Sequence, residues 1–354
     1  MIQKILLFGL FSVLFITFGC KDDDLPFNDC FTVPNGNTNL KINVLEGPTI
    51  TLPSKISVFF KVTDANNNPV GYLKEENFVI YEKGMNDQCH RQISQTEARR
   101  KISGKAQVFN HTTMLVLDLS GSVLQENLEP LKNAATQFID AIMPDTLDVS
   151  TKMGIWWFDG EDVLHQLVPV TASKSNLKLG ILAIDPSISN DASTDLYGAI
   201  IKSSAEASVI LAANQAGDKI AAASVVIFTD GTDRANRYPK ASAVAAVTNS
   251  PQDITFFTIG LGSEIDAGEL ATFGRNGFVP ATNVGQLTQI FNNVAALVSG
   301  EANSYYLFEY CSPIRSGTDN GLIIEAFFNS SNGTKFGNFQ TTFDATGFTG
   351  GCQL

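Results

Sequence analysis

Apolar positions along the chain follow two different rhythms. In the first, Ile56, Val58, Phe60 and Val62 alternate with Ser57, Phe59 and Lys61, and Phe78-Val79-Ile80-Tyr81 is a further short run. A period of two is that of a strand with one face on a core. The turn-rich stretch Asp64-Ala65-Asn66-Asn67-Asn68-Pro69 separates these runs. The same style returns beyond Asn303, in residues 305–310, 322–328 and 336–343. Between these flanks the rhythm changes. Near-continuous apolar runs at Thr112–Leu119, Met153–Phe158, Ala223–Thr229 and Ile254–Ile259 alternate with helical patterns near Leu124–Ile142, Leu196–Asn214, Lys240–Val247 and Val284–Val298. In the last of these, Leu287, Ile290, Phe291, Val294 and Leu297 recur at helical spacing.

Strands that are apolar on both faces and alternate with helices predict an α/β unit: a Rossmann-like, doubly wound, mostly parallel sheet covered on both sides. A hairpin at Asp159-Gly160, leading into residues 163–167, adds one antiparallel strand at its edge. The flanks read as antiparallel strands, but each is short. About 50 residues on the C-terminal side and about 70 on the N-terminal side are too few, or barely enough, to bury a core alone. Pooled, they make an all-β, immunoglobulin-like sandwich of ~120 residues with the α/β unit inserted between two of its strands. Two independent flanks are the alternative. The expected divisions are a leader (1–19), a tether (20–39), the first part of the sandwich (40–108), the α/β domain (109–301) and the second part of the sandwich (302–354).

The leader carries Lys4 ahead of an apolar run from Ile5 to Phe18, too short for a comfortable membrane span. It ends at Gly19-Cys20, followed by Lys21-Asp22-Asp23-Asp24. A small residue before this cysteine looks like a bacterial lipoprotein cleavage site, which makes Cys20 the lipidated N-terminus. The acidic run after it resembles an export tag used by some Gram-negative bacteria. The implied location is the bacterial outer membrane, lipid-anchored and exposed at the cell surface. The plainer alternative is a secretory signal cut nearby, with Cys20 a spare thiol. The tether is rich in Asp, Asn, Pro and Gly.

Charge and cysteine content narrow the picture further. The net charge is −12 over 354 residues, and no basic stripe interrupts it, which argues against a nucleic-acid partner. Beyond Cys20, the cysteines Cys30, Cys89, Cys311 and Cys352 form an even set in a chain bound for an oxidising compartment, and they are disulfide candidates. All four lie in the flanks. Four cysteines allow three pairings, and the sequence does not choose among them. No Cys/His spacing suggests zinc.

The candidate chemistry lies in three segments of the central region. Asp118-Leu119-Ser120-Gly121-Ser122 follows the apolar run Thr113–Leu117 directly. A carboxylate and two hydroxyls at alternate positions after a buried strand aim several oxygens at one spot, as a hard cation requires. Ser193-Thr194-Asp195-Leu196 precedes a helical pattern, and Phe228-Thr229-Asp230-Gly231 follows another buried strand. Together the three resemble the metal-ion-dependent adhesion site (MIDAS) of von Willebrand factor type A domains, over roughly residues 110–300. The resemblance implies Ser120, Ser122 and Thr194 as direct hydroxyl ligands, with Asp118 and Asp230 acting largely through water. It implies Mg²⁺, with Mn²⁺ or Ca²⁺ possible, and a protein partner that supplies an Asp or Glu carboxylate. The chain departs from the pattern before Thr194, where Ala192-Ser193 stands in place of the common Gly-Gly. The Tyr-rich strand running into Cys311-Ser312-Pro313 also resembles bacterial type A proteins in which a β-domain precedes the module and such a strand follows it.

Other patterns carry less. Asp64–Asn68 starts like a calcium loop but has Pro69 where the turn needs Gly, so it reads as a hairpin. Trp156-Trp157 suggests a sugar platform, although a strand there is expected to bury one ring. His90, His111 and His165 are scattered and read as packing or surface residues. No nucleophile elbow, acid pair or phosphate loop appears, so no enzymatic activity is expected. Two binding roles remain: a cell-surface lipoprotein that grips a partner carboxylate through the metal, or an assembly scaffold in which the metal only stabilises loops.

Overall fold

A computed structural model describes residues 39–104, 109–215, 220–330 and 333–354, together with Cys30. The expected leader, Cys20 and the tether apart from Cys30 and Asn39 lie outside the described residues. The chain opens with β1 (Leu40–Thr51) and β2 (Lys55–Asp64), then β3 (Phe78–Lys83), β4 (Arg91–Ile93) and β5 (Arg100–Gly104). The middle contains β6 (Phe109–Asp118), α1 (Leu128–Ile142), β7 (Thr151–Phe158), β8 (His165–Thr171), α2 (Lys174–Leu182), α3 (Leu196–Gln215), β9 (Ile220–Thr229), α4 (Lys240–Asn249), β10 (Ile254–Leu261), α5 (Ala267–Phe273), β11 (Gly277–Ala281) and α6 (Leu287–Ala302). It closes with β12 (Tyr305–Cys311), β13 (Asn320–Ser330) and β14 (Gly333–Phe343).

The flanking strands form two four-stranded antiparallel sheets, ordered β1-β2-β12-β5 and β14-β13-β3-β4. Each sheet therefore takes strands from both ends of the chain. β12 lies between β2 and β5, with Phe308 opposite Val58 on one side and Ile102 on the other. The alternating residues of β2 face inward with Phe78, Ile80, Tyr306, Phe308, Leu322 and Ile324 in one core. Rings dominate its centre. Phe78 lies 5.6 Å from Phe60, 5.7 Å from Tyr306 and 5.8 Å from Phe308, centroid to centroid, within the range where tilted aromatic pairs attract. Disulfides pair Cys30 with Cys89 and Cys311 with Cys352.

The central sheet has the order β11-β10-β9-β6-β7-β8, parallel throughout except for β8. Successive residues of β6 alternate between its two faces. Leu115 and Leu117 pack with α1, α2 and α6, while Met114 and Val116 pack with α3, α4 and α5. Covering both faces explains the unbroken apolar runs. It also overturns the expectation for Trp156-Trp157: both rings are buried, one under each layer, at 2% and 6% exposure. Helix α3 is long and apolar enough to cross a membrane, yet Ile200, Ala207 and Leu211 are packed against the sheet.

Three elements carry weak sequence signals. α2 buries only Leu177 and Ile181, so it shows no stripe. α5 is a single short helix capped by the Asp266 side chain. β11 contains Pro280, which an edge strand tolerates because it need not donate outward.

The central sheet is fixed against the flanking strands where α6 runs into β12. Glu301, 2% exposed, pairs with Lys61 of β2 and accepts the Tyr305 hydroxyl at 3.2 Å. Val62 donates its backbone N–H to Ser304 O at 2.9 Å. Phe59, Ala222 and Tyr305 bury a small apolar cluster at the same junction.

Candidate metal centre

In an order of this kind the chain winds outward from β6 through β7 to β8, then returns to lay β9 on the other side of β6. Such a switch point leaves a crevice at the carboxyl ends of the two strands. Asp118 is the last residue of β6, and Asp230 follows the last residue of β9. Both carboxylates therefore arrive at the crevice because of where their strands end.

The local geometry holds each carboxylate from two sides. Asp118, fully buried, accepts the Ser120 N–H at Oδ1 (2.9 Å) and the Thr229 hydroxyl at Oδ2 (2.6 Å). Asp230 accepts the Ser122 hydroxyl at 2.9 Å and the Asn127 amide at 3.4 Å. Asn127 reaches it because a wide, π-type turn over Val123–Asn127 precedes α1. Turns of this kind recur at functional sites. The residue pattern predicts helix straight through this stretch, and nothing in it marks Asn127 or Thr229 as part of the site.

The third segment is fastened to the other two through the backbone. Gly121 N–H donates to Ala192 O at 3.0 Å, and the N–H groups of Arg234 and Ala235 donate to Thr194 O at 2.9 and 3.0 Å. A Cβ on Gly121 would stand 3.0 Å from the Ala192 methyl, so a glycine is what allows the two loops to approach. Asp195 N–H donates to Asp159 O at 2.8 Å, tying the same loop to the end of β7. Thr194 itself is buried, at 5% exposure.

Electrostatics show what the crevice favours. Burial, and then the Asp230 charge, push Asp118 up to about 6. Burial also holds Asp230 above the usual carboxylate range, against the hydrogen bonds of Ser122 and Asn127. Two acids desolvated side by side resist ionising together. A cation between them reverses that sign. The Ser120 hydroxyl adds a second observation: it is buried and makes no hydrogen bond of normal geometry, although it lies near enough to Asp118 to ease its charge. A buried hydroxyl without a partner is costly, and its free lone pairs are what a hard cation takes. The five residues therefore fit a divalent ion by charge and by donor type.

Above them opens a cleft of about 680 Å³, lined by Ser122, Asn127, Thr194, Asp230, Arg234 and Glu264 among others. Asp118 and Ser120 sit beneath its floor. Strand order, antiparallel edge and three converging loops together decide the fold. The central unit has the fold of a von Willebrand factor type A domain.

No protein-family model matches the chain, and no curated protein matches it. Among solved structures, the type A unit is similar to proximal thread matrix protein 1 from the mussel byssus, described with a zinc-occupied MIDAS motif. Identity there is 17% and the TM-score 0.44, over 55% of this chain and 49% of that one. The match thus spans about half the length of the mussel protein. The chain is also similar to a von Willebrand factor type A protein from Catenulispora acidiphila (11% identity, TM-score 0.46, 89% of this chain and 75% of that one). A third is the vWF domain of the type V pili tip protein Mfa5 from Porphyromonas gingivalis (12%, 0.42, 55% and 96%).

Proposed function

We propose that this chain is a lipid-anchored surface protein that binds a protein partner through a divalent cation, with Mg²⁺ the natural choice, at Asp118, Ser120, Ser122, Thr194 and Asp230. The observation that carries the reading is the buried Ser120 hydroxyl, which makes no hydrogen bond of normal geometry, beside the desolvated Asp118 and Asp230 carboxylates at the base of an open cleft. Neutral hydroxyls in contact with the ion leave most of its charge available, while Asp118 and Asp230 balance it from behind. When bound, the ion supplies an electrophilic position for one partner carboxylate, since Mg²⁺ keeps exchangeable waters among its six oxygens.

The chain's own residues do the rest. Thr229 and the Ser120 backbone aim Asp118, Asn127 aims Asp230, and the backbone bonds to Thr194 hold its loop in reach. The role is one of capture, not catalysis. In the alternative, a scaffold of an envelope complex, the ion serves only to stabilise the loops. Direct backbone bonds already join all three loops, which favours partner capture. On this reading Cys20 carries the lipid, the protein faces outward from a bacterial outer membrane, and the two flanking sheets serve as an immunoglobulin-like stalk.

The test is capture of surface or matrix proteins by the immobilised chain in Mg²⁺ and in EDTA. Binding that appears in Mg²⁺, vanishes in EDTA and is lost in Ser120→Ala supports the proposal. Binding that survives both changes overturns it in favour of the scaffold.

A further inference from the structure

A second group of ligating side chains stands at the β7–β8 hairpin, apart from the five residues above. Asp159 follows the last residue of β7, Glu161 comes two residues later, and His165 opens β8. The hairpin brings them together because His165 is registered opposite Trp157. Their rings stack with centroids 4.0 Å apart and planes 10° from parallel, which fixes the imidazole. One ligating atom from each of Asp159, Glu161 and His165 lies within 4.8 Å of the others.

Two features separate this group from an ordinary surface ion pair. His165 Nε2 is shielded from solvent and makes no hydrogen bond, although Glu161 Oε2 is only 3.3 Å away. The nitrogen lies within ion-pair distance of the carboxylate but without the angle a hydrogen bond needs. Asp159, for its part, is fully buried and braced. Its Oδ2 accepts the Ser189 hydroxyl at 2.7 Å and the N–H groups of Asn190 and Asp191 at 3.3 Å each, and its Oδ1 accepts the Glu161 N–H at 2.8 Å. Hydrogen bonds that aim a carboxylate in this way are typical of the shell behind a metal ligand.

We propose that Asp159, Glu161 and His165 form a second cation site, which takes a borderline transition-metal ion of the Zn²⁺ type. One imidazole nitrogen and two carboxylate oxygens suit such an ion, whereas the all-oxygen set around Asp118 suits a hard one. Three protein ligands leave the remaining positions to water. Glu161 and His165 are 36% and 25% exposed, so the group stands at the protein surface, with the His165 ligating nitrogen turned inward. The proposal does not depend on the function assigned to the Asp118 site.

The decisive experiment is a Zn²⁺ titration of the full chain in excess Mg²⁺, followed by calorimetry, with Glu161→Gln and His165→Gln beside the wild type. The wild type is expected to bind Zn²⁺ at this site, and each variant to bind it about tenfold more weakly or worse. Glu161 is in an exposed loop, so its substitution leaves folding intact, as circular dichroism will verify. X-ray absorption of the wild-type zinc complex should show imidazole scattering that His165→Gln removes. Identical isotherms for wild type and Glu161→Gln, or zinc without an imidazole neighbour, would overturn the site. Loss of Mg²⁺ binding at Asp118 would leave this result standing.

Discussion

The Thr229 hydroxyl donates to Asp118 Oδ2 at 2.6 Å inside a fully buried pair. Two neighbouring strands thereby exchange a side-chain bond at their carboxyl ends, just where their sequences leave the sheet. The bond holds Asp118 pointing into the crevice. Thr229→Val keeps the shape of the side chain and removes that donor, together with the hydroxyl's longer contacts to Gly231 N–H (3.2 Å) and Gly231 O (3.3 Å). Mg²⁺ affinity is expected to fall about 10- to 100-fold, as for other partners that orient metal ligands. Calorimetric titration of a variant with unchanged circular dichroism measures it, and an unaltered affinity would show that Thr229 merely packs.

Charge at the same floor predicts opposite effects with and without metal. Asp118 is buried beside a second acid, so without an ion its charge is a cost to the fold. Asp118→Asn removes that charge while keeping an oxygen to accept the Ser120 N–H, and its amide donates to the Thr229 hydroxyl in place of the bond Thr229 now gives. The variant should melt higher than the wild type in EDTA at neutral pH. Mg²⁺ at 100 times its dissociation constant should stabilise the wild type by about 2.7 kcal/mol and the variant negligibly. Scanning calorimetry in both buffers decides it; a variant that melts lower in EDTA would mean the carboxylate stabilises the empty crevice.

How much of this arrangement can be read from residue order follows from what each signal depends on. Strands of the central sheet are legible because both their faces are buried, which writes an unbroken apolar run. Asp118 and Asp230 are legible because they end such runs. The approach of Asn127 to Asp230 depends on one extra residue in the turn Val123–Asn127, and nothing in Val-Leu-Gln-Glu-Asn announces it. Both rings of Trp156-Trp157 are buried because this strand is covered on both faces; the expectation of one buried ring does not carry the doubly covered sheet through to this pair. His165 looked isolated because its companions Asp159 and Glu161 approach only when the hairpin closes. Cysteine pairing is set only by the folded arrangement, since the spacing of four cysteines permits three answers.

A pH dependence is built into the flanking sheets. Glu82, 2% exposed, accepts the Tyr310 hydroxyl at 2.8 Å. Burial pushes it up to about 7, against the hydrogen bonds of Ser312 and Tyr310 and the charges of Arg91 and Arg315. A carboxyl raised above its unfolded value keeps its proton longer in the folded state. Its contribution to stability is therefore complete below about 4.5, and it is lost as pH rises toward about 7. The loss is on the order of 3 kcal/mol. Glu82→Gln removes this slope. Urea denaturation of both proteins from acid to neutral pH should show their stability difference changing across that window and level beyond it.

The Cys311–Cys352 disulfide ties β12 to the C-terminus over a separation of 41 residues. In the chain-entropy account a closure of that length is worth about 4 kcal/mol. The double variant Cys311→Ser, Cys352→Ser should lose about that much in denaturant unfolding. Mg²⁺ affinity should not change, because neither cysteine contacts the central sheet's crevice. A parallel loss of affinity would show that the flanking sheets position the metal loops.

Gly121 offers the sharpest separation between loop geometry and ligand chemistry. It provides no side chain to the crevice, but its N–H binds Ala192 O, and a Cβ there would meet the Ala192 methyl at 3.0 Å. Ala192 belongs to the loop that carries Thr194, so bulk at 121 drives that hydroxyl away from Ser120 and Ser122. Gly121→Ala asks the neighbour to yield by a few tenths of an ångström; Gly121→Val adds two methyl groups that have no such room. The alanine variant should retain most Mg²⁺ affinity. The valine variant should lose it by at least 10-fold with all five proposed site residues intact, a loss comparable to that from disturbing residues that orient a ligand. Ala192→Gly in the valine background removes the opposing methyl and should restore part of the affinity. Rescue by that second substitution assigns the effect to the spacing between the two loops, and its failure would place the damage within the Asp118–Ser122 turn itself.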